Sequence, residues 1–425
     1  MRSVPRPHGL WRHQDFMRMW TAAGVSAVGS QVTLLALPLT AILVLHASAF
    51  EVAAISTAVT LPNLLGIAAG VWLDRVKRRR VMIAADFGRA ALLASVPLAY
   101  AFGLLDLPLL YVVALISGTL SIFFEIASQA YVPSIVGREQ LVEANTDLQG
   151  LTVGANTVGP SVAGALVTLV SAPVAILADA VSFLMSGLLI GSIPNRYEPQ
   201  AARARPTSIG SELREGARYV LSNLYLRPLL VSHALANLAL GVFWAIVLVY
   251  AVRELGLTSV TIGAILSVAN VGGLAGVLLA RRMAERAGVG RIVIASFLLF
   301  GPATVLVAIA TTDTAIVFVG LGWAIQSFAR SLYVVSANSV RQALVPDRLR
   351  ARASGVVTTA GTSAFPFGTL LGGALAAALG LREAMLVAAT VSFLPFLPVV
   401  VSPLRSLREL PDDSDHVTNR RPGAS

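Results

Sequence analysis

Five charged side chains fall inside stretches that are otherwise apolar for about twenty residues or more: Asp86, Arg89, Glu125, Asp179 and Arg330. A charge at the middle of a lipid-embedded helix costs roughly 2.5–3.5 kcal/mol on insertion scales unless it meets a partner or a watery cavity. Such residues mark either internal pairs or an aqueous path. Glu125 shares a helical face with Ser117, Ser121 and Ser128, and Arg330 shares one with Trp323, Gln326 and Ser327. Asp86 and Arg89 stand three apart, which suits a structural pair tied to the basic loop that precedes them. Asp179 suits a bond to the backbone of a neighbouring helix. His233 and Asn237 share a face, the pattern of a hydrogen-bonded interior histidine. Gln31, Trp244 and Trp323 suit either an aromatic, amphiphilic ligand or plain apolar packing.

Other chemistries are excluded early. The chain has no cysteine, so disulfides, thiolate metal sites and cysteine nucleophiles are absent. Its five histidines, His8, His13, His46, His233 and His416, form no ligand-spaced pair, so no metal site is expected. Lys77 is the sole lysine and follows Val76, where a phosphate-binding loop needs glycine before it and Ser or Thr after it. No span holds paired acids at helical spacing, and no Gly-x-Ser-x-Gly elbow occurs, so an enzyme is not expected.

The elements that position these residues are long apolar helices. The chain of 425 residues is 56% hydrophobic and only 13% charged, with mean hydropathy +0.76, against about 25% charged in soluble domains. Lipid must cover it. Apolar runs predict spans at 18–45, 52–73, 81–104, 109–134, 146–171 and 173–194, then at 228–252, 259–280, 291–310, 314–338, 353–379 and 384–403. The net charge of +10 reflects topology rather than nucleic acid, because basic residues flank the spans on one side. The opposite loops hold only Arg253 and Arg382, which predicts a multi-pass protein with both termini cytoplasmic. The expected organisation is a cytoplasmic segment 1–17, a six-helix bundle 18–194, a linker 195–227, a second bundle 228–403 and a disordered tail 404–425. The linker contains an amphipathic stretch, Glu212 to Leu221, suited to the membrane surface.

Two internal matches occur at one shift of 206 residues. Gly70-Val71-Trp72-Leu73-Asp74-Arg75 aligns with Gly276-Val277-Leu278-Leu279-Ala280-Arg281, and Pro160 aligns with Pro366. Together they indicate a six-plus-six parallel repeat. The stretch from Gly70 through Asp74, Arg75, Lys77, Arg78 and Arg79 to Arg80 resembles the signature between helices 2 and 3 of the major facilitator superfamily. There a glycine allows close helix approach, and the acid pairs with arginines or helix ends to latch one state of the cycle. This chain carries Lys77 where a second glycine is usual, and Ala280 replaces the acid in the second half. Gly150, Gly154, Gly159, Pro160 and Gly164 resemble the glycine-rich, proline-kinked motif of members that export. His13 to Trp20, Asp86 to Ala90 and Val136 to Asn145 are similar to the branch that includes siderophore and macrolide exporters. The resemblance runs from about residue 13 to 404. Where members read Gly-Asp-Gln in helix 1, this chain reads Gly29-Ser30-Gln31.

The resemblance implies an all-α membrane protein of the bacterial cytoplasmic (inner) membrane. Its twelve transmembrane helices would form two pseudo-symmetric six-helix bundles, the major facilitator fold. It also implies that helices 1, 4, 7 and 10 line a central cavity. Glu125 and Arg330, pseudo-equivalent in the two halves, are then expected to face that cavity and to interact directly or through substrate, with Gln31, Asn237, Gln326 and Trp323 on the same path. Apolar surroundings favour the protonated carboxyl and an arginine favours the ionised one, so an acid alternating between them can carry a proton. A static buried pair that fixes packing is the other reading. The implied function is proton-coupled export of a small amphiphilic compound, such as a drug, an antibiotic or a siderophore-like molecule, with lipid as surroundings. The proton gradient is the energy source; no cofactor, nucleic acid or ATPase subunit is expected. An importer or facilitator of the same fold is the near alternative. A membrane receptor or assembly factor without transport is a further one, against which Glu125 and Arg330 argue.

Overall fold

The computed structural model describes residues 10–73, 75–194 and 209–406, and no strand occurs among them. The helices are α1 (Gln14–Leu43), α2 (Ala49–Thr60), α3 (Gly66–Leu73), α4 (Arg78–Ala101), α5 (Leu107–Ile135), α6 (Leu141–Val170), α7 (Ala172–Gly191) and α8 (Ile209–Ser222). They continue with α9 (Leu226–Arg253), α10 (Ser259–Ala287), α11 (Val289–Ala308), α12 (Ala315–Leu344), α13 (Asp347–Thr362), α14 (Ala364–Leu379), α15 (Leu381–Val391) and α16 (Leu397–Val400). Eleven helical stretches among the described residues are long and apolar enough to cross a membrane, with α13–α14 and α15–α16 each counting as one. The shorter apolar helix Ala49–Leu65 supplies a twelfth crossing.

That crossing is expected as one helix over 52–73, yet it breaks into α2 and α3 around a 3₁₀ turn at Leu61–Leu65. Pro62 has no N–H for the carbonyl four residues back, and its ring crowds that carbonyl. Polar groups define the ends elsewhere. Ser48 and Glu51 form a reciprocal capping box on α2, and Asp106 accepts the Leu109 N–H at 3.0 Å to start α5. Asn223 accepts the Tyr225 and Leu226 N–H groups at 2.9 and 3.1 Å at the head of α9. Large apolar side chains such as Leu34, Leu98, Leu169, Leu188, Leu278 and Val317 are exposed, and lipid is the surrounding that such surface requires.

The chain divides into two compact units. The first comprises residues 1–205 and 258–267, the second 206–257 and 268–425. In the first, α1 packs on α6 and α7, α4 packs on α5 and α7, and α2 and α3 lie on α5. The opening turns of α10 also pack here. A Cβ at Gly263 would strike the Pro160 carbonyl, one at Gly164 would strike that of Ser259, and the Ser161 hydroxyl donates to Ser267 Oγ at 2.8 Å. In the second unit, α9 packs on α14 and α15, and α11 packs on α12. Gly241, Gly368 and Gly372 let α9 and α14 approach with backbone against backbone. The amphipathic helix α8 docks on α13 through an ion pair between Glu215 and Arg352, while the Tyr219 hydroxyl donates to the Leu344 carbonyl at 2.7 Å.

Candidate functional site

Within the first unit, Glu125 lies well inside α5, is exposed, and accepts a hydrogen bond from Gln129 Nε2 at 3.4 Å. The serine face expected around it divides. Ser121 donates to the Ser117 carbonyl at 2.8 Å and accepts from Arg89 at 3.3 Å, so it turns toward α4 rather than toward the space that Glu125 meets. Gln31 on α1 reaches across to α6, where its Nε2 donates to Asn156 Oδ1 at 2.8 Å. The same side chain lies on Gly159, whose missing Cβ makes room for it.

The glycine-rich helix therefore works through part of its motif. Gly159 receives Gln31, Gly164 receives the α10 backbone, and Pro160 offers its carbonyl to Gly263. Gly150 and Gly154, expected to pack, instead meet open space, because they lie earlier on α6 than the crossing with α10. Gly70 likewise has nothing within 4 Å of its would-be Cβ among the described residues. Its repeat counterpart Gly276 does pack closely, against the Phe328 carbonyl of α12.

Asp74, the acid of the expected latch, lies outside the described residues, as do the linker residues 195–208 and the tail from 407. The basic residues around Asp74 are described. Arg75 is exposed. Arg78 donates to the Ala130 carbonyl at 2.9 Å, and Arg79 donates to the Ile190 and Gly191 carbonyls at 3.2 and 2.5 Å. Arg18, paired with Asp15, adds a 3.0 Å bond to the Ser192 carbonyl. Two arginines thus cap the C-terminus of α7, where unsatisfied carbonyls concentrate negative potential.

Asp86 and Arg89 sit two to three turns into α4 and pair with each other at 2.5 Å, rather than with the basic loop. Ser186 of α7 donates to Asp86 at 2.7 Å, and the Arg89 guanidinium lies over Phe183 at 3.9 Å and Phe124 at 4.6 Å. Asp179 also departs from expectation. Its partners are side chains, Thr33 at 2.5 Å and Ser182 at 2.9 Å, not a neighbouring helix's backbone.

The second unit presents a different wall. On α12, Gly322 packs toward α11, while Ala324 and Phe328 face glycines of α10. The remaining face carries Trp323, Gln326, Arg330 and Tyr333, and its rings stack on α9. Trp323 lies on Trp244 with centroids 5.7 Å apart and planes 22° apart, and Tyr333 lies on His233 at 5.6 Å and 26°. Gln326 is buried, and the Trp323 indole N–H is buried without an acceptor among the described residues. Asn237 donates to the His233 carbonyl at 2.9 Å and lies 3.4 Å from its Nε2. Arg330 falls between the two stacks, is exposed, and has no hydrogen bond or ion pair within its unit among the described residues. Thr33, Ser182, Ser186 and Tyr333 escape the sequence reading. Only the i, i+3, i+7 spacing of Asp179, Ser182 and Ser186 offers a signal for them.

Comparison with known proteins matches this architecture. A family described as "Transmembrane secretion effector", within the major facilitator superfamily, matches residues 7–421. The multidrug efflux pump Tap of Mycolicibacterium fortuitum is 28% identical over 406 residues, covering 92% of this chain and 95% of the relative. The Tap pump of Mycobacterium tuberculosis is 27% identical over 398 residues, covering 90% of each chain. Among solved structures, a bacterial homologue of the iron transporter ferroportin in an inward-facing state superposes with a TM-score of 0.70 at 19% identity, covering 93% of this chain and all of that one. With a twelve-crossing helical fold and a family match spanning nearly its whole length, this chain belongs to the major facilitator superfamily of membrane transporters and is not an enzyme.

Proposed function

We propose that the protein is a secondary active exporter of the bacterial cytoplasmic membrane, with both termini cytoplasmic. It would move a small amphiphilic compound outward by alternating access while protons move inward. The observation that carries this reading is that each unit holds an exposed charge deep within a membrane-crossing helix, Glu125 in one and Arg330 in the other, without an ion-pair partner in its own unit among the described residues. Charges are retained at such depth where they face water or cargo. Gln31, Asn237, Gln326 and the Trp244–Trp323 stack supply polar and aromatic surface of the kind that holds an amphiphile. The full-length relationship to a multidrug efflux pump supports export and a drug-like cargo. The lack of a nucleotide-binding loop supports a gradient as the energy source, which supplies about 2.3 kcal/mol per charge for each 100 mV.

Expression in an efflux-deficient bacterial host, with a fluorescent cationic dye as cargo, tests the reading. Export predicts lower dye retention than in vector controls, abolished by a protonophore. Higher retention would mean import, and retention equal to the control across chemically varied toxins would remove the export reading.

A further inference from the structure

One group of ionisable side chains lies apart from the accessible residues above. Asp86, Arg89 and Asp179 are respectively 0%, 5% and 1% exposed, so neither water nor lipid headgroups reach them. All of them meet one face of α7. Asp179, Ser182, Phe183 and Ser186 present, in order, an acid, a hydroxyl to that acid, a ring beneath the Arg89 guanidinium and a hydroxyl to Asp86. The other elements packed there add no further charge. From α1 come Gly29 and Thr33, whose helix carries its only acid, Asp15, at its far end and paired with Arg18. From α5 come Ser121 and Phe124, while Glu125 is exposed and bonded to Gln129. The acids of α6, Glu143 and Asp147, lie in its first two turns.

One guanidinium therefore stands against two carboxyls in a closed, lipid-surrounded interior. With both ionised, the group would bury one uncompensated negative charge, which a low-dielectric interior strongly disfavours. Their partners differ. Asp86 has the guanidinium itself, whereas both oxygens of Asp179 meet only neutral hydroxyls, of Thr33 and Ser182. The proton that makes the group neutral accordingly belongs on Asp179.

The same few residues of α1 serve two partners. Gly29 and Thr33 face Asp179 and Ser182, while Gln31, between them, faces Asn156 and Gly159 of α6. A movement of α1 that follows cargo at Gln31 necessarily alters the Thr33–Asp179 contact. We propose that Asp86, Arg89 and Asp179 form the coupling site of the transporter, holding a single proton on Asp179 in this conformation and releasing it when α1 parts from α7. The step breaks only the Asp179 O–H bond. Water takes the proton, and the water that enters also solvates the carboxylate left behind, because the Arg89 and Asp86 pair is already neutral. This proposal rests on the export reading.

Two measurements on the full-length protein separate the two ideas. Infrared spectroscopy of the detergent-purified protein at neutral pH reports buried protonated carboxyls, since exposed acids are ionised there. Wild type is expected to show the carboxylic C=O band and Asp179→Asn to lack it; a wild type without the band, or a variant that keeps it whole, overturns the proton-holding site whatever the protein transports. In proteoliposomes with ethidium as the probe, a pH gradient is expected to drive uphill accumulation by wild type and by Asp179→Glu. Asp179→Asn and Asp86→Asn should accumulate no more than the outside concentration, yet still exchange labelled for unlabelled ethidium without a gradient. Gradient-driven accumulation retained by both Asn variants would overturn the coupling role. Absence of it in wild type, with the infrared band present, would instead sink the export reading.

Discussion

Replacing Arg89 with leucine tests how the interior of the first unit is held together. The substitution keeps much of the aliphatic bulk on Phe183 and Phe124 but removes the 2.5 Å bond to Asp86, the 3.3 Å bond to Ser121 and the cation–π contacts at 3.9 and 4.6 Å. Removing one partner of a buried pair costs about 3–5 kcal/mol, mostly because the other charge is left uncompensated. Asp86, at 0% exposure, is that charge. Asp86→Asn alone loses a charge-assisted bond but lets Asp179 give up its proton and balance the Arg89 charge, so about 1.5–3 kcal/mol is expected. The double variant should then fall short of the sum by about 2 kcal/mol or more, because the stranded carboxylate is gone. Equilibrium SDS unfolding in mixed micelles, run on all four proteins, measures this directly. Costs that add to within about 0.5 kcal/mol would refute the idea that the two side chains depend on each other.

Three further outcomes are expected. Ser171, between α6 and α7, has φ +88° and a buried hydroxyl without a partner, so Ser171→Gly should stabilise the protein by about 1 kcal/mol and raise its melting temperature in detergent; no change would deny the strain. Gly159→Val should displace Gln31 from Asn156 and return dye retention to the vector level, whereas Gly154→Val, which points into open space, should transport like wild type. Arg79→Gln removes two bonds to the last carbonyls of α7, a loss of about 1–2 kcal/mol confined to that end; hydrogen exchange at residues 189–192 should quicken while the rest of α7 stays protected.

Much of the architecture is legible in one dimension because each membrane crossing is a local property. Twenty apolar residues with flanking charge define a span whatever their neighbours do, and the expected spans overlap the observed crossings throughout, from α1 at Gln14–Leu43 to Leu381–Val400. Pro62 shows the limit of hydropathy alone. Residues 52–73 are predominantly apolar and carry no charge, yet the helix breaks where an N–H is missing. The motif around Gly70 identified the family but not the packing, since no described residue lies within 4 Å of a Cβ placed at Gly70, while one at Gly276, its repeat counterpart, would strike a backbone carbonyl.

Composition and periodicity by themselves determined that this chain lives in lipid, how many times it crosses, and which polar side chains have no business at that depth unless they have a task. Tertiary structure alone decided what each of those side chains meets. Asp86 finds Ser186 a hundred residues away, Asp179 finds Thr33 across 146 residues, and the serines that share a helical face with Glu125 turn partly toward Arg89 instead. The reason is geometric. A helix's own sequence sets the direction in which a side chain leaves its axis, but the side chain's charge state and bonds depend on the neighbouring helix, and helix pairing is set by small-residue contacts such as Gly29 on Ser182 that carry no long-range mark in the sequence.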